Sequence, residues 1–363
     1  MYIFILSLSQ ICLAIQTVYL LYIFKLNKKN YSTDNEIFTP NVSVIICARN
    51  EIENLKKNLT LFLNQEHATF EIIVVNDKST DGSTIYLKKL ALSYQNLKLI
   101  DIKETPQGWD SKKWALKKGV AESKHPYLLF SDADCYPKSK LWIKTLANCF
   151  QYSDLVIGYG EYEKRKGFLN SFIQYETYQT AIAMLGLAQK GINYMAVGRN
   201  FGVNKTIYLD FNWGKNQQKT GGDDDLFVSK LKTKPFVCLD KNGHTVSYPK
   251  ENLASYTKQK TRHIAVSNRY SSKAKMIIGL YNLSKFGFYI SLFTLLLTNC
   301  TNTIFIGLVL FNTFILYYNF VTSTRELNLK HLITKILYLD IFYTLFLWFI
   351  GPYALVAKKI KWK

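Results

Sequence analysis

Two carboxylates separated by one small residue, Asp132-Ala133-Asp134, follow the apolar run Tyr127-Leu128-Leu129-Phe130-Ser131. Aspartates at i and i+2 in a turn can hold a hard divalent cation through oxygen and leave positions for phosphate oxygens. An Asp-rich turn that caps the next helix is the plainer use of the same residues. A second acidic group stands in Gly221-Gly222-Asp223-Asp224-Asp225-Leu226-Phe227. Acidic residues in a first helical turn suit the helix dipole, which accounts for one or two of them. Three in a row repel one another and point to a cation, a proton or a cationic partner nearby. No Ser/His/Asp or Cys/His arrangement stands out for covalent catalysis. The six cysteines (Cys12, Cys47, Cys135, Cys149, Cys238, Cys300) form no CxxC pair and no Cys/His cluster. That spacing argues against a zinc site and a disulfide framework, and fits a reducing compartment.

The elements that must carry these groups are legible as alternating strands and helices. Val42–Cys47, Glu71–Val75, Leu97–Ile102 and Tyr127–Ser131 are short apolar runs of strand length. Between them, Glu51–Gln65 and Ser111–Glu122 are helical, and Ser79-Thr80-Asp81-Gly82-Ser83 is a turn that starts a helix. This alternation predicts right-handed crossovers and an α/β fold with a Rossmann-like, mostly parallel sheet. Near-continuous apolar strands predict a sheet covered on both faces. Arg49-Asn50-Glu51, Asn76-Asp77 and Asp132-Ala133-Asp134 then all fall at the carboxyl edge of the sheet, where ligands of such sheets bind. Further on, Leu155–Glu163 reads as a strand, Phe168–Lys190 as a helix, and Asn252–Tyr270 as a basic helix lying at the membrane surface or against the active site, with an ordinary surface helix as the plainer reading.

The 363-residue chain carries 46 Lys+Arg against 26 Asp+Glu, a net charge of +20. That charge favours anionic partners. No nucleic-acid-binding motif accompanies it, and much of it flanks apolar segments, so the partner expected is a membrane face rather than nucleic acid. Tyr2–Phe24 contains no charged residue, is long enough to span a bilayer, and is followed by Lys25, Lys28 and Lys29, which marks that end as cytoplasmic. Phe286–Thr298, extended back towards Leu283, and Thr303–Val321 read as a hairpin of spans. Leu332–Ala357 is a further apolar stretch, interrupted by Lys335, Asp340 and Gly351-Pro352. Asp340 is read as a helix-end residue at the headgroup level, with a functional role as the alternative. The basic tail is expected on the cytoplasmic face, which one more full crossing would contradict. The last segment is then re-entrant or interfacial, or one span is misread. The boundaries expected are a transmembrane helix (1–24), a linker (25–40), a catalytic domain (41–250), a basic interfacial region (251–282), membrane helices (283–357) and a tail (358–363).

Four stretches, in order, resemble the family-2 glycosyltransferases, particularly membrane-bound members similar to ceramide glucosyltransferase and bacterial cell-wall or lipid glycosyltransferases. They are Val42-Ser43-Val44-Ile45-Ile46 with Arg49-Asn50-Glu51; Ile73-Val74-Val75-Asn76-Asp77 with Ser79-Thr80-Asp81-Gly82-Ser83; Ser131-Asp132-Ala133-Asp134; and Gly222-Asp223-Asp224-Asp225-Leu226. The resemblance covers residues 40–270 and implies an A-type glycosyltransferase fold that inverts the anomeric carbon of a nucleotide sugar, a UDP-sugar above all. Arg49, Glu51 and Asp77 then bind the nucleotide, and Lys112 lies near the diphosphate. Asp132 and Asp134 hold Mg²⁺ or Mn²⁺, with Asp134 the direct ligand. The acidic triplet supplies the catalytic base. The family's Glu-Asp is absent here, so either Asp223 or Asp224 fills that role, with Asp225 towards the acceptor. Gln259-Lys260-Thr261-Arg262-His263 departs from the family's Gln-x-x-Arg-Trp: Gln259 and Arg262 match, and His263 replaces the Trp that would stack on acceptor or product sugar. The implied acceptor is a lipid-linked or cell-envelope glycan. The implied setting is a multi-pass protein of a bacterial inner or plasma membrane, with a cytoplasmic catalytic domain in contact with membrane lipids. A processive polysaccharide synthase, another nucleotide-using enzyme, or an inactive membrane scaffold of the same fold are the alternatives.

Overall fold

The computed structural model describes residues 2–27, 38–299 and 303–356. Most of the expected linker, Cys300 and the basic tail 358–363 lie outside the described residues. The chain divides into two compact units. One takes Lys29–Glu163 and Asn193–Pro249. The other takes Met1–Lys28, Lys164–Ile192 and Lys250–Ala357.

In chain order, α1 (Tyr2–Val18) and a π-helical turn (Tyr19–Ile23) lead to β1 (Val42–Ala48), α2 (Ile52–Leu63), β2 (Phe70–Asp77), α3 (Ser83–Ser93) and β3 (Leu97–Ile102). Next come α4 (Ser111–Ala121), β4 (Tyr127–Asp132), β5 (Cys135–Pro137), α5 (Trp142–Asn148), β6 (Leu155–Ile157) and β7 (Gly160–Tyr162). α6 (Phe168–Gln189) precedes β8 (Phe201–Asn204), α7 (Lys205–Leu209), α8 (Asp225–Lys230), β9 (Phe236–Val237) and β10 (Thr245–Ser247). α9 (Leu253–Ser267), α10 (Ser272–Leu297), α11 (Thr303–Leu327) and α12 (Ile336–Val356) close the described chain.

In the first unit a seven-stranded sheet runs β3-β2-β1-β4-β8-β6-β9. β3, β2, β1 and β4 are parallel, while β8 is antiparallel to both β4 and β6. The expected mostly parallel sheet is therefore present. Every residue of β1 is buried, as apolar strands covered on both faces must be. The polar exceptions are satisfied: Ser43 Oγ donates to Glu71 Oε1 at 2.6 Å, and the same carboxylate oxygen accepts the Lys124 amide. α4 packs so closely on β1 and β2 that a Cβ at Gly119 would meet Ile45 and Val75 methyl carbons at 2.9 Å. The chain leaves β1 outward through β2 and β3, then returns as β4 on β1's other side. That reversal opens a crevice at the carboxyl ends of β1 and β4.

Leu155–Glu163 is not the single strand expected. It forms β6 in the large sheet and β7 in a three-stranded sheet ordered β5-β10-β7. Asn200 forces the break. Its Nδ2 donates to the Tyr159 and Gly243 carbonyls at 2.8 Å, and its side chain fills the space a Cβ at Gly158 would need.

Among the described residues of the second unit, four helical stretches are long and apolar enough to cross a membrane: Tyr2–Ile23, Ser272–Leu297, Thr303–Leu327 and Lys330–Ala354. α10 begins well before Leu283, so the short span expected there gains its N-terminal turns from Ser272 onward. α12 runs on through Gly351-Pro352, one of the interruptions noted in the apolar stretch. Asp340 is not an exposed helix-end residue. It is fully buried and ion-paired with the buried Lys285 of α10.

Candidate active site

The site is assembled from the loops that follow β1, β2 and β4. Asp77, the last residue of β2, is fully buried. Its carboxylate accepts Ser111 Oγ at 2.6 Å and lies 3.3 Å from Lys78 Nζ and 3.8 Å from Arg49 Nη1. The first two loops are sewn together. Asn50 N donates to Ser79 Oγ at 2.9 Å, Thr80 N to Asn50 Oδ1 at 2.8 Å, and Ile52 N to Asp81 Oδ2 at 2.9 Å. Asn50 (φ 53°) and Lys78 (φ 55°) adopt the left-handed turns this requires. Glu51, just before α2, accepts the Asn54 side-chain amide at 2.5 Å. Arg49, Glu51 and Asp77 thus lie on neighbouring strand ends, as the sequence reading placed them.

Lys112 is the hub of the next cluster. Its Nζ lies 3.1 Å from Asp132 Oδ1 and 2.9 Å from Asp223 Oδ2. Burial disfavours its charge, but the carboxylates of Asp132, Asp223 and Asp224 outweigh that and hold its pKa well above the ordinary lysine value. Lys112, Asp132, Asp223 and Gly198 line a small cavity with Cys47 and Phe201. The acidic triplet arrives on two left-handed glycines, Gly221 (φ 75°) and Gly222 (φ 78°), which a side chain would strain.

The three aspartates differ. Asp223 is buried; burial alone would raise its pKa, yet Lys112 and Lys113 bring it below the usual carboxylate range. Asp224 is half-buried, accepts the Gly198 amide at 2.5 Å and the Asp225 amide at 2.8 Å, and is pushed up to about 6 by burial and then by the charge of Asp223. Asp225 is buried in the first turn of α8.

Asp132, Asp134 and Cys135 bring one ligand atom each to within 4.8 Å of one another. The thiol does not suit this set. Burial, then Asp134 and Asp132, push the Cys135 pKa well above its ordinary value, and its Sγ shares a hydrogen bond of 2.9 Å with Ser247 Oγ. Sulfur is also a soft donor, unlike the oxygens that hard divalent cations prefer. The remaining donors, two half-buried carboxylates, are hard oxygens that fit Mg²⁺ or Mn²⁺.

Gln259, Arg262 and His263 lie on α9, in the helical unit. There Lys260 pairs with Glu176 of α6 at 2.5 Å, and Tyr256 donates to the same carboxylate at 3.0 Å. Two groups of the sheet unit were not foreseen as site residues. Arg199 stacks on Tyr162 at 4.9 Å and donates to the Gly160 carbonyl at 2.7 Å, where the charges of Asp132 and Asp134 act on it. Lys113 is fully buried beside Lys112. The run Gly198-Arg199-Asn200 and the doubled lysine were the available signals.

Residues 43–210 match the family model described as Glycosyl transferase family 2. An uncharacterized glycosyltransferase of Haemophilus influenzae is 30% identical over 143 residues, covering 38% of this chain and 42% of that protein. Glycosyltransferase AglE of Haloferax volcanii is 33% identical over 107 residues, 29% of this chain and 34% of that one. The chain spans less than half the length of each of these relatives. Among solved structures, a mannosyltransferase from Pyrobaculum calidifontis, in complex with GDP-Man and Mn²⁺, aligns over 97% of this chain and 99% of that one, with a TM-score of 0.60 and 14% identity. The two share a fold.

Proposed function

We propose, from the premise that residues 43–210 are a family-2 glycosyltransferase domain, that this protein transfers a sugar from a nucleoside diphosphate sugar, UDP-sugars foremost, to a hydroxyl of a lipid-linked or cell-envelope glycan. The observation that carries this reading is Lys112 bridging Asp132 and Asp223 at the crevice between β1 and β4. Arg49, Glu51 and Asp77 would hold the nucleoside end of the donor. Asp132 and Asp134 would hold Mg²⁺ or Mn²⁺, which when bound supplies positive charge and Lewis acidity at the diphosphate. Lys112 lies where the leaving diphosphate gathers negative charge, and its raised pKa keeps it cationic.

The step is a single displacement. The acceptor oxygen attacks the anomeric carbon, the bond from that carbon to the diphosphate oxygen breaks, and the hydroxyl proton goes to a carboxylate on the opposite side. Asp224 suits that role. It is half-buried, and its raised proton affinity matches a general base near neutral pH. Asp223 is committed to Lys112 as an anion. Asp225, Gln259, Arg262 and His263 are assigned to the acceptor and product, and the imidazole offers less stacking area than an indole.

The four apolar helices would anchor the enzyme in the membrane. The sheet unit then faces the cytoplasm, where nucleotide sugars are held. The test is release of nucleoside diphosphate from a panel of nucleotide sugars, with and without Mn²⁺ or Mg²⁺ and with a lipid extract as acceptor. Metal-dependent release from one donor that is lost in Asp134→Ala supports the reading. No release from any donor, together with no metal-dependent nucleotide binding, returns the chain to a scaffold.

A further inference from the structure

Consecutive lysines on α4 take up different partners. Lys112 Nζ reaches the carboxylates of the cavity, and Lys113 Nζ reaches a loop backbone. Lys113 Nζ donates to the Lys219 carbonyl at 2.5 Å and to the Gly221 carbonyl at 2.8 Å. It is fully buried, lies 3.9 Å from Asp110 Oδ1, and sits over the Trp213 ring at 5.4 Å. A buried ammonium is costly unless its donors are used and its charge is balanced. Here two carbonyls, a carboxylate and an indole face do both.

The same loop is held at a second point. Asp110 N donates to the Gln217 carbonyl at 3.0 Å, and Gln217 Nε2 donates back to the Gly108 carbonyl at 3.3 Å. Asp110 also caps α4 by accepting the Lys113 amide at 3.2 Å. The turn that starts α4 and the stretch that ends at Gly221-Gly222 are therefore one clasp. From that clasp the chain passes through two left-handed glycines directly into Asp223 and Asp224.

We infer that Lys113 is a positioning residue for the transfer reaction: it fixes the loop that presents Asp223 and Asp224 to Lys112, so that the two sides of the displacement are set by one helix. This rests on the glycosyltransferase reading above. It adds a residue that touches neither donor nor acceptor and still sets the rate. Misplacing a reacting group by about 1 Å costs on the order of 10²-fold in rate, and Lys113 holds the two carbonyls that flank Thr220, closest to the glycines, while Asp110 holds Gln217 and Thr220 beside them.

The experiment compares the full-length protein with Lys113→Met, which keeps the aliphatic stem and removes the donors, and Lys113→Arg, which keeps donors. In Lys113→Met, kcat should fall about 10–100-fold, while the KM for the nucleotide sugar and metal-dependent nucleoside diphosphate binding stay within a fewfold. Lys113→Arg should recover part of the loss. Amide hydrogen exchange should rise in residues 217–222 of Lys113→Met and stay unchanged in β1 and β2. Gly222→Ala, which strains the same left-handed turn and leaves Lys113 and its two carbonyl partners in place, should reproduce the kcat loss if Lys113→Met does not fold. An unchanged kcat with lowered thermal stability overturns the positioning role, and unchanged exchange in 217–222 overturns the clasp itself. A wild-type protein with no transfer activity, but with the exchange pattern as expected, defeats the glycosyltransferase reading and leaves the clasp as a purely structural device.

Discussion

The two units solve the problem of burying charge in opposite ways. In the helical unit, Asp340 is closed on all sides. Lys285 pairs with it, Tyr175 Oη and Tyr289 Oη each donate at 2.6 Å, and Gln179 completes the shell. One lysine meets one aspartate, both fully buried. In the sheet unit, Lys112 bridges Asp132 and Asp223, with Asp224 and Asp134 close by and only half-buried. There the carboxylates of Asp132, Asp223 and Asp224 gather around Lys112, with Lys113 and Arg199 acting on them from beside it, and burial followed by the charge of Asp223 raises the Asp224 pKa. A cluster with balanced charge and filled hydrogen bonds holds helices together. A cluster whose carboxylates crowd one another at an open sheet edge is the kind of place where perturbed proton affinities and binding sites are found together.

The contrast breaks first under single substitutions of the closed cluster. Asp340→Asn leaves Lys285 buried without its counter-charge and should destabilise the protein by about 3–5 kcal/mol, read as thermal unfolding in detergent. Lys285→Gln/Asp340→Asn, which removes both charges and keeps an acceptor for the tyrosines, should recover most of that loss. Recovery of nothing would mean the network is not a balanced pair. The open cluster should behave in the reverse sense. Asp224→Asn should lower turnover on the order of 10²–10⁴-fold, the range for a lost general base. It should leave thermal stability unchanged or raised, because it relieves a carboxylate already crowded by Asp223. A smaller loss, about 10²–10³-fold, is expected for Lys112→Met, the range for removing one group that stabilises developing charge. If either variant unfolds as readily as Asp340→Asn, the distinction between the units fails.

The open cluster was largely legible in the sequence, and the closed one was not. β1, β2 and β4 are buried on both faces, so their apolar runs stand out, and a parallel strand must carry its ligand groups at its carboxyl end. Asp77, Asp132 and Asp134 were placed by that rule alone. The acidic triplet announced itself by its density, though the sequence could not separate Asp223 from Asp224, because Lys112 lies more than a hundred residues earlier. The same blindness to distant partners hid the rest. Lys113 looks like any surface lysine until the Lys219 and Gly221 carbonyls are seen around it. α6 carries Tyr175, Glu176, Tyr178 and Gln179 and reads from the sequence simply as a helix. It belongs to the helical unit because Asp340, Asn319 and Lys260 satisfy those side chains. The single strand expected over Leu155–Glu163 failed for a related reason, since its break is imposed by Asn200 from a later segment.

The smallest effect sharpens the comparison most, because it reads the burial and the charge around Asp224 together. A general base works deprotonated, so with Asp224 at about 6 the rate should climb as pH rises through that value and level off above it. Between pH 5 and pH 7 the gain is about tenfold, as the deprotonated fraction moves from roughly one part in eleven to ten in eleven. The position of that limb depends on Asp224's neighbours. Burial sets most of it, and Asp223 adds like charge, so Asp223→Asn should move the limb to lower pH with activity retained. Lys112→Met removes the nearby cation and should move the limb to higher pH in what activity remains. If Asp223→Asn instead abolishes turnover while Asp224→Asn only shifts the limb, the roles of the two aspartates are exchanged. Lys112 would then be a counter-ion that the incoming diphosphate draws away from the base.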